Sequence, residues 1–146
     1  MRCLVFAVAC AVSLHAQSVA VDLRIVAAPD RLDARVTEAL PGALVGLVLG
    51  VQPAISPLPG GAALQLAPIT VAGLAFADAH GVATLTLQYP VGHAAGLSLL
   101  AQAVAYDTGR PVAAHGALQV SPLRHARVPL TGEEARIVVL FGQSNA

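Results

Sequence analysis

The sequence is poorest in aromatic and in charged residues. Tryptophan is absent, and aromatic residues make up 3% of the 146 residues. A carbohydrate-binding platform of stacked aromatic rings is therefore disfavoured. Lysine is also absent, so all eight basic residues are arginines. With 11% charged and 56% hydrophobic residues, the chain is far too apolar to be disordered, and it offers no basic face for nucleic acid.

Cysteine occurs only at Cys3 and Cys10. Both lie within the first 20 residues, which we expect to be removed as a signal peptide, so the mature protein would have neither a disulfide nor a thiolate nucleophile. The four later histidines stand far apart in the sequence, unlike the close pairs of zinc sites, and we expect them to be solvated residues of loops or strand ends. They are His80, His93, His115 and His125. The sequence predicts neither a metal nor a cofactor.

The first 20 residues have the pattern of a signal peptide. Arg2 provides the positive charge, and Leu4 to Leu14 form an apolar run of the usual length. Small residues favour cleavage after Ala20, with Ala16 as the alternative. The pattern therefore predicts a protein that is secreted, periplasmic or attached to the cell surface. The whole sequence has eight basic and eight acidic residues, so cleavage of the leader with Arg2 leaves a net charge near −1.

One other membrane signal remains as an alternative, and a second apolar stretch is predicted to be a buried strand. A lipoprotein signal ending at Cys10 fits less well, because the apolar run continues beyond that residue. A second apolar stretch, from Ala43 to Val51, is bounded by Pro41 and Pro53. It is much shorter than the roughly 20 residues that a membrane-spanning helix needs. We therefore expect no transmembrane span after signal cleavage.

Residues 21–130 have the pattern of an all-β domain, a small antiparallel β-sandwich of jelly-roll or immunoglobulin-like type. Short apolar runs alternate with proline and glycine, and no long stretch keeps a helical period. Pro29–Leu40 is the one segment that favours a helical turn, and Gln52–Gly61 is predicted to be a loop. The predicted strands are Val21–Ala27, Leu44–Val51, Ile69–Phe76, Val82–Gln88, Ser98–Asp107, Gly116–Val120 and, as an edge strand or linker, Arg124–Leu130.

Two of these strands are predicted to pair with each other. Ile69–Phe76 and Val82–Gln88 are separated by the turn residues Asp78 to Gly81, which indicates a hairpin. Alternation in the second strand predicts that Leu85 and Leu87 point inward. We expect Asp78, like Asp107 in a later turn, to bond its own backbone.

Residues 21–120 resemble small β-sandwich domains of exported bacterial proteins. The resemblance rests on a strand, a glycine-rich loop, a hairpin and then the run Leu-Ser-Leu-Leu-Ala-Gln-Ala that starts at Leu97. It implies a fold and no particular activity.

A different motif lies at the end of the sequence. The apolar run Ile137 to Phe141 precedes Gly-Gln-Ser-Asn, which resembles the first block of sialate O-acetylesterases and related SGNH-type carbohydrate esterases. The resemblance implies that Ser144 is a nucleophile and that its motif neighbours are Gly142, Gln143 and Asn145. Ala146 departs from the methionine usual in that family, and the late Asp-x-x-His block that supplies the catalytic base is missing.

Two functions follow as hypotheses. The first is an exported, non-catalytic β-sandwich module that binds a protein or a polysaccharide. The second is the N-terminal part of an SGNH-type O-acetylesterase, in which residues 131–146 form a terminal strand that begins the catalytic domain. In both cases we expect no catalysis by these 146 residues alone.

Overall fold

A computed structural model describes residues 21–130. The predicted leader (1–20) and the predicted terminal strand (131–146) lie outside this range. The described residues form ten strands and one short 3-10 turn, Pro59–Gly61. The strands are β1 (Asp22–Ala27), β2 (Arg31–Thr37), β3 (Leu44–Gly50), β4 (Gln52–Pro57), β5 (Ala63–Ala67), β6 (Thr70–Phe76), β7 (Ala83–Gln88), β8 (Ser98–Tyr106), β9 (Leu118–Val120) and β10 (Arg124–Arg127).

The strands form two main sheets and a separate hairpin, and every pair is antiparallel. Sheet A has the order β1-β2-β7. Sheet B has the order β10-β8-β3-β6, and β9 pairs with the last part of β8. The outer hairpin consists of β4 and β5. The predicted all-β antiparallel sandwich is confirmed.

The chain crosses between the two sheets as an immunoglobulin-like sandwich does. The consecutive strands β2 and β3 lie in different sheets, and so do β6 and β7. As a result β2 pairs with β7 while β3 pairs with β8. The orders β1-β2-β7 and β10-β8-β3 correspond to strands A-B-E and G-F-C of an immunoglobulin-like sandwich, which favours this alternative over the jelly roll.

The main core lies between sheets A and B. On β2 the apolar residues Leu32, Ala34 and Val36 alternate with polar ones and are almost completely buried. The small residues Ala101, Ala103 and Ala105 do the same on β8. This period of two turns one face of each strand toward the other sheet, and burial of these faces holds the sandwich together.

Strand β3 is apolar on both faces, because sheet B is covered on both sides along part of its length. Leu47 points into the main core, whereas the next residue, Val48, points outward. The outer hairpin packs Leu64 and Leu66 over Val48 and forms a second, smaller apolar cluster there. Sheet B thus lies between two apolar layers at this end.

Two predictions about local structure were wrong. Pro29–Leu40 contains strand β2 in place of a helical turn, because its charged residues alternate with inward-pointing apolar ones. Gln52–Gly61 contains strand β4, with prolines at Pro53 and Pro57. Strand β4 pairs only with β5, so its other edge needs no backbone donors, and an edge strand of this kind accepts proline.

The predicted hairpin of β6 and β7 was also wrong. Both strands exist, but β6 pairs with β3 in sheet B and β7 pairs with β2 in sheet A. The turn at Asp78–Gly81 therefore carries the chain from one sheet to the other. The inward orientation predicted for Leu85 is confirmed, as are the strands predicted at Val21–Ala27, Leu44–Val51 and Ser98–Asp107.

Arg124 on β10 connects the two sheets on their open side. Its Nε donates to the Leu23 carbonyl oxygen at 2.9 Å, and its Nη2 donates to Asp22 Oδ1 at 2.7 Å. Both acceptors belong to β1 of sheet A, whereas β10 belongs to sheet B. One arginine thus joins the neighbouring edges of the sandwich without a continuous ladder.

Candidate functional site

An apolar groove lies on the outer face of sheet B, between the outer hairpin and β6. Its volume is about 270 Å³. The floor consists of Leu44, Gly46 and Val48 from β3 together with Val104 and Tyr106 from β8. The outer hairpin covers one half of this face and leaves the other half open, so the groove marks where the second apolar layer stops.

A β-bulge in β6 creates the exposed wall of the groove. Leu47 pairs with Gly73 and Val48 pairs with Val71, which leaves Ala72 without a partner on β3. The extra residue resets the alternation, so Val71 points to the same outer face as Leu74. These two side chains are 59% and 65% exposed. The bulge thereby gathers apolar side chains on one face that strict alternation would separate.

Gly46 gives the groove its depth. It pairs with Leu74, and a Cβ atom at this position would lie 3.3 Å from Leu74 Cδ2. Every larger residue would fill the floor, so the hollow exists because this residue has no side chain. The close contact would be with the end of a flexible, exposed leucine, which is able to move aside.

The wall formed by the outer hairpin is held by the buried Gln102 of β8. The Gln102 side chain is 1% exposed. Its Oε1 accepts a hydrogen bond from the Gln65 backbone N–H at 2.6 Å, and its Nε2 donates to the Ser121 carbonyl oxygen at 2.9 Å. One amide therefore fixes both β5 and the segment after β9 on the outer face of sheet B.

A second feature brings the hairpin close to the sheet. Gly50 ends β3, and a Cβ atom there would lie 3.0 Å from the backbone nitrogen of Ala67. The backbone of β5 therefore approaches β3 at a distance that only glycine permits. Gln102 and Gly50 together determine where the groove begins.

The groove offers apolar contact and almost no polar recognition. No charged side chain lines it, and its polar side chain is that of Tyr106, whose hydroxyl donates to the Arg110 carbonyl oxygen at 2.7 Å. Small-molecule sites usually combine an apolar pocket with several convergent polar groups that orient the ligand. The groove lacks such groups, which favours an apolar macromolecular partner over a small polar ligand.

The outer face of sheet A has the opposite chemistry. Asp33 accepts hydrogen bonds from Thr86 Oγ1 at 2.9 Å and from Arg31 Nε at 3.0 Å. These bonds, that from Thr86 first, hold the pKa of Asp33 below its ordinary value. Likewise, the hydrogen bond from Arg124 lowers the pKa of Asp22. Both carboxyl groups are ionised acceptors at neutral pH, which makes them unsuited to general acid catalysis.

An open, polar depression beside Tyr89 is the main alternative site. It measures about 420 Å³ and is lined by Asp30, Gln88, Tyr89 and Pro90. The Tyr89 hydroxyl donates to the Ala28 carbonyl oxygen at 2.6 Å and lies 3.0 Å from that of Arg31. Burial raises the pKa of this phenol. The hydroxyl thus ties loop backbone together and is not available to a substrate.

The residues that the sequence singled out for chemistry do not form a site in the described structure. Ser144, with its motif neighbours Gly142, Gln143 and Asn145, lies outside the described residues. Among residues 21–130, no group of three or more His, Cys, Asp or Glu side chains is close enough to hold a metal ion.

The two turn aspartates bond their own backbone, as predicted. Asp78 Oδ1 accepts from the backbone N–H of His80 at 2.8 Å and of Val82 at 3.0 Å. These bonds, that of Val82 first, lower the pKa of Asp78. Asp107 Oδ1 accepts from the Gly109 N–H at 3.1 Å. Both carboxyl groups stabilise turns.

Comparison with protein-family models, with curated proteins and with solved structures finds no match to this chain. Within residues 21–130, no helix is long and apolar enough to cross a membrane.

The sequence analysis missed the groove. The one signal of an exposed apolar surface in the sequence is that strand β6 contains no charged residue. Val71 and Leu74 are three positions apart, however, so strict alternation would place them on opposite faces of the strand. Only the bulge at Ala72 brings them together. The second wall depends on Leu58, which was predicted to lie in a loop, and on Leu64, which lies in no predicted element.

Proposed function

We propose that this protein is an exported, non-catalytic β-sandwich module that binds a partner through the apolar groove of sheet B. The observation that carries the proposal is the open half of the sheet B face, where apolar side chains are exposed beside a hollow that contains no charge. Contiguous apolar surface of this kind is uncommon on a monomer and is typical of interaction sites.

The chemistry of the groove favours a protein over a polysaccharide as the partner. Sugar recognition needs hydrogen-bonding side chains or aromatic platforms, and the only aromatic side chain in the lining is Tyr106, whose hydroxyl is already bonded. Aliphatic side chains such as Leu44 and Leu74 bury well against apolar protein surface. The signal-peptide pattern at Arg2 to Ala20 supports an extracytoplasmic location.

The experiment that tests the proposal is a titration of the protein, at high dilution, with a fluorescent dye that brightens in apolar sites. Leu74→Glu places a charge in the groove, and we expect it to weaken dye binding roughly tenfold to a hundredfold. Ile55→Glu is the matched control, because Ile55 is 82% exposed but does not line the groove. Equal binding by the wild type and both variants would contradict the proposal.

A second candidate function rests on the motif Gly142 to Asn145. Its resemblance to the SGNH-type esterases favours an accessory β-sandwich joined to an O-acetylesterase in which Ser144 is the nucleophile. Sequencing the locus past codon 146 tests this candidate. It predicts a continuing reading frame with a late Asp-x-x-His block, and a stop codon followed by unrelated sequence would contradict it.

A further inference from the structure

The two edges of sheet B are protected very differently. Strand β10 has the sequence Arg-His-Ala-Arg, and its two arginines and histidine are exposed. Strand β6, at the other edge, has the sequence Thr-Val-Ala-Gly-Leu-Ala-Phe and contains no charge and no proline. Proteins usually protect a solvent-exposed edge with charges or proline. On β6 the bulge at Ala72 is the device that discourages pairing with another strand, whereas its outward side chains are apolar and exposed, as at an interface.

The same side carries a projection and a hollow next to each other. Phe76 pairs with Leu44 at the end of the groove floor, and its side chain is 68% exposed. The neighbouring hollow, about 270 Å³, is larger than a phenylalanine residue. A surface with a projection beside a hollow is able to pair with a copy of itself across a twofold axis, where each contact occurs twice.

The charges and polar groups also favour a second copy. Two copies that meet through the groove bring no charged side chain of its lining into the interface. Docking through the outer face of sheet A would instead bury charged side chains, because Arg24 and Arg35 stand directly opposite each other on β1 and β2. Interfaces between identical subunits are also more apolar than transient ones, which matches the lack of free hydrogen-bonding groups in the groove.

The exposed area is large enough for a dimer of modest size. Ile69, Val71, Leu74 and Phe76 are between 48% and 68% exposed. At about 200 Å² for each large side chain they present on the order of 500 Å², and half-buried neighbours such as Leu118 add to this. Standard interfaces bury roughly 800 Å² on each partner, so this patch is smaller than that class and fits a weak, concentration-dependent dimer.

We propose that the protein forms a twofold-symmetric homodimer in which Phe76 of each copy occupies the apolar groove of the other. The inference rests on the proposed function, since it names the partner of that same groove. It assigns the exposed β6 face to the inside of the assembly and leaves the polar face of sheet A in solvent.

Sedimentation velocity of the full chain over a range of concentrations is the first test. The wild type should dimerise, and Phe76→Glu should raise the dimer dissociation constant at least about thirtyfold. Ile55→Glu should dimerise as the wild type does, because Ile55 lies outside the groove. A wild type that stays monomeric, or a dimer that Phe76→Glu leaves intact, would overturn the inference.

A mixing experiment tests the reciprocal geometry. Phe76→Ala removes the projection and keeps the hollow, whereas Gly46→Val fills the hollow and keeps the projection. Each variant alone has lost both contacts of the symmetric dimer, but a mixture restores one contact. Heterodimers more stable than either homodimer are expected, and no gain on mixing would contradict the proposed docking.

The result also separates this inference from the proposed function. If the wild type is monomeric but Leu74→Glu still weakens dye binding at high dilution, the groove binds a different partner and only the dimer is wrong. If dye binding and self-association are both insensitive to Leu74→Glu and Phe76→Glu, both proposals are wrong.

Discussion

The outer faces of the two sheets differ in how they meet their surroundings. Sheet A turns Arg31, Asp33 and Thr86 outward and joins them by hydrogen bonds. This polar surface is suited to contact with water. Sheet B turns Val71 and Leu74 outward and covers only part of this face with the outer hairpin. Because both sheets share one core, the difference cannot come from folding alone. Under the proposed function, the open part of the sheet B face is where the partner binds.

The comparison also shows how a local irregularity produces a surface. Strand β2 keeps strict alternation, and its outward residues are consistently polar. Strand β6 breaks alternation at Ala72, and residues on both sides of the break turn apolar side chains outward. A bulge at a sheet edge frequently re-aims side chains near a functional site.

The largest expected effect separates the inner and outer faces of sheet B. Leu47→Ala should lower the free energy of unfolding by about 3 kcal/mol, because Leu47 is 1% exposed in the core and its loss leaves a cavity. Leu74→Ala, two residues from the bulge on the outer face, should change it by less than about 0.5 kcal/mol. Urea unfolding of both variants measures the difference. Equal losses would contradict the assignment of Leu74 to an open face.

A smaller effect is expected where the outer hairpin is attached. Gln102→Leu should lower the free energy of unfolding by about 1 to 3 kcal/mol, because it leaves the Gln65 N–H and the Ser121 carbonyl without their partner. Gln88→Leu is the control, since Gln88 is exposed on β7. Faster amide hydrogen exchange at Gln65 in the Gln102 variant would show that the hairpin has loosened. Unchanged exchange there would contradict the attachment.

The smallest effect concerns the polar face of sheet A and depends on pH. The pKa of Asp33 is lowered in the folded state, so its contribution to stability is present above its ordinary pKa of roughly 3.9 and is lost as pH falls through the folded value. Stability should therefore fall in acid, and Asp33→Asn should make this fall shallower. Urea unfolding between about pH 5 and pH 2 measures it. An identical acid dependence in Asp33→Asn would contradict the role of this carboxylate.

Part of the fold was predictable because the residue pattern within some strands indicates which of their faces is buried. The alternation of Leu85 with threonines on β7, and the long apolar run of β8, predict an inward face and a central position from local sequence alone. Pairing is not local in this sense. The turn at Asp78–Gly81 has the composition of a hairpin turn, but the partners of β6 and β7 are distant strands that the turn sequence does not specify.

The candidate site was less predictable than the fold. The groove requires the bulge at Ala72, the missing side chain of Gly46 and the docking of the hairpin through Gln102. Each of these features depends on how residues far apart in the sequence are placed against each other. The motif around Ser144 was visible at once because it is local, and it lies outside the described residues.

The most direct test of the central claim, that the outer face of sheet B is the binding face, is a methyl NMR titration with an apolar probe. Chemical-shift changes are expected at Leu44, Val71 and Leu74, which surround the groove. No change is expected at Val26, which is 58% exposed on the other sheet. Equal changes at Val26 and Leu74, or none at the groove, would contradict it.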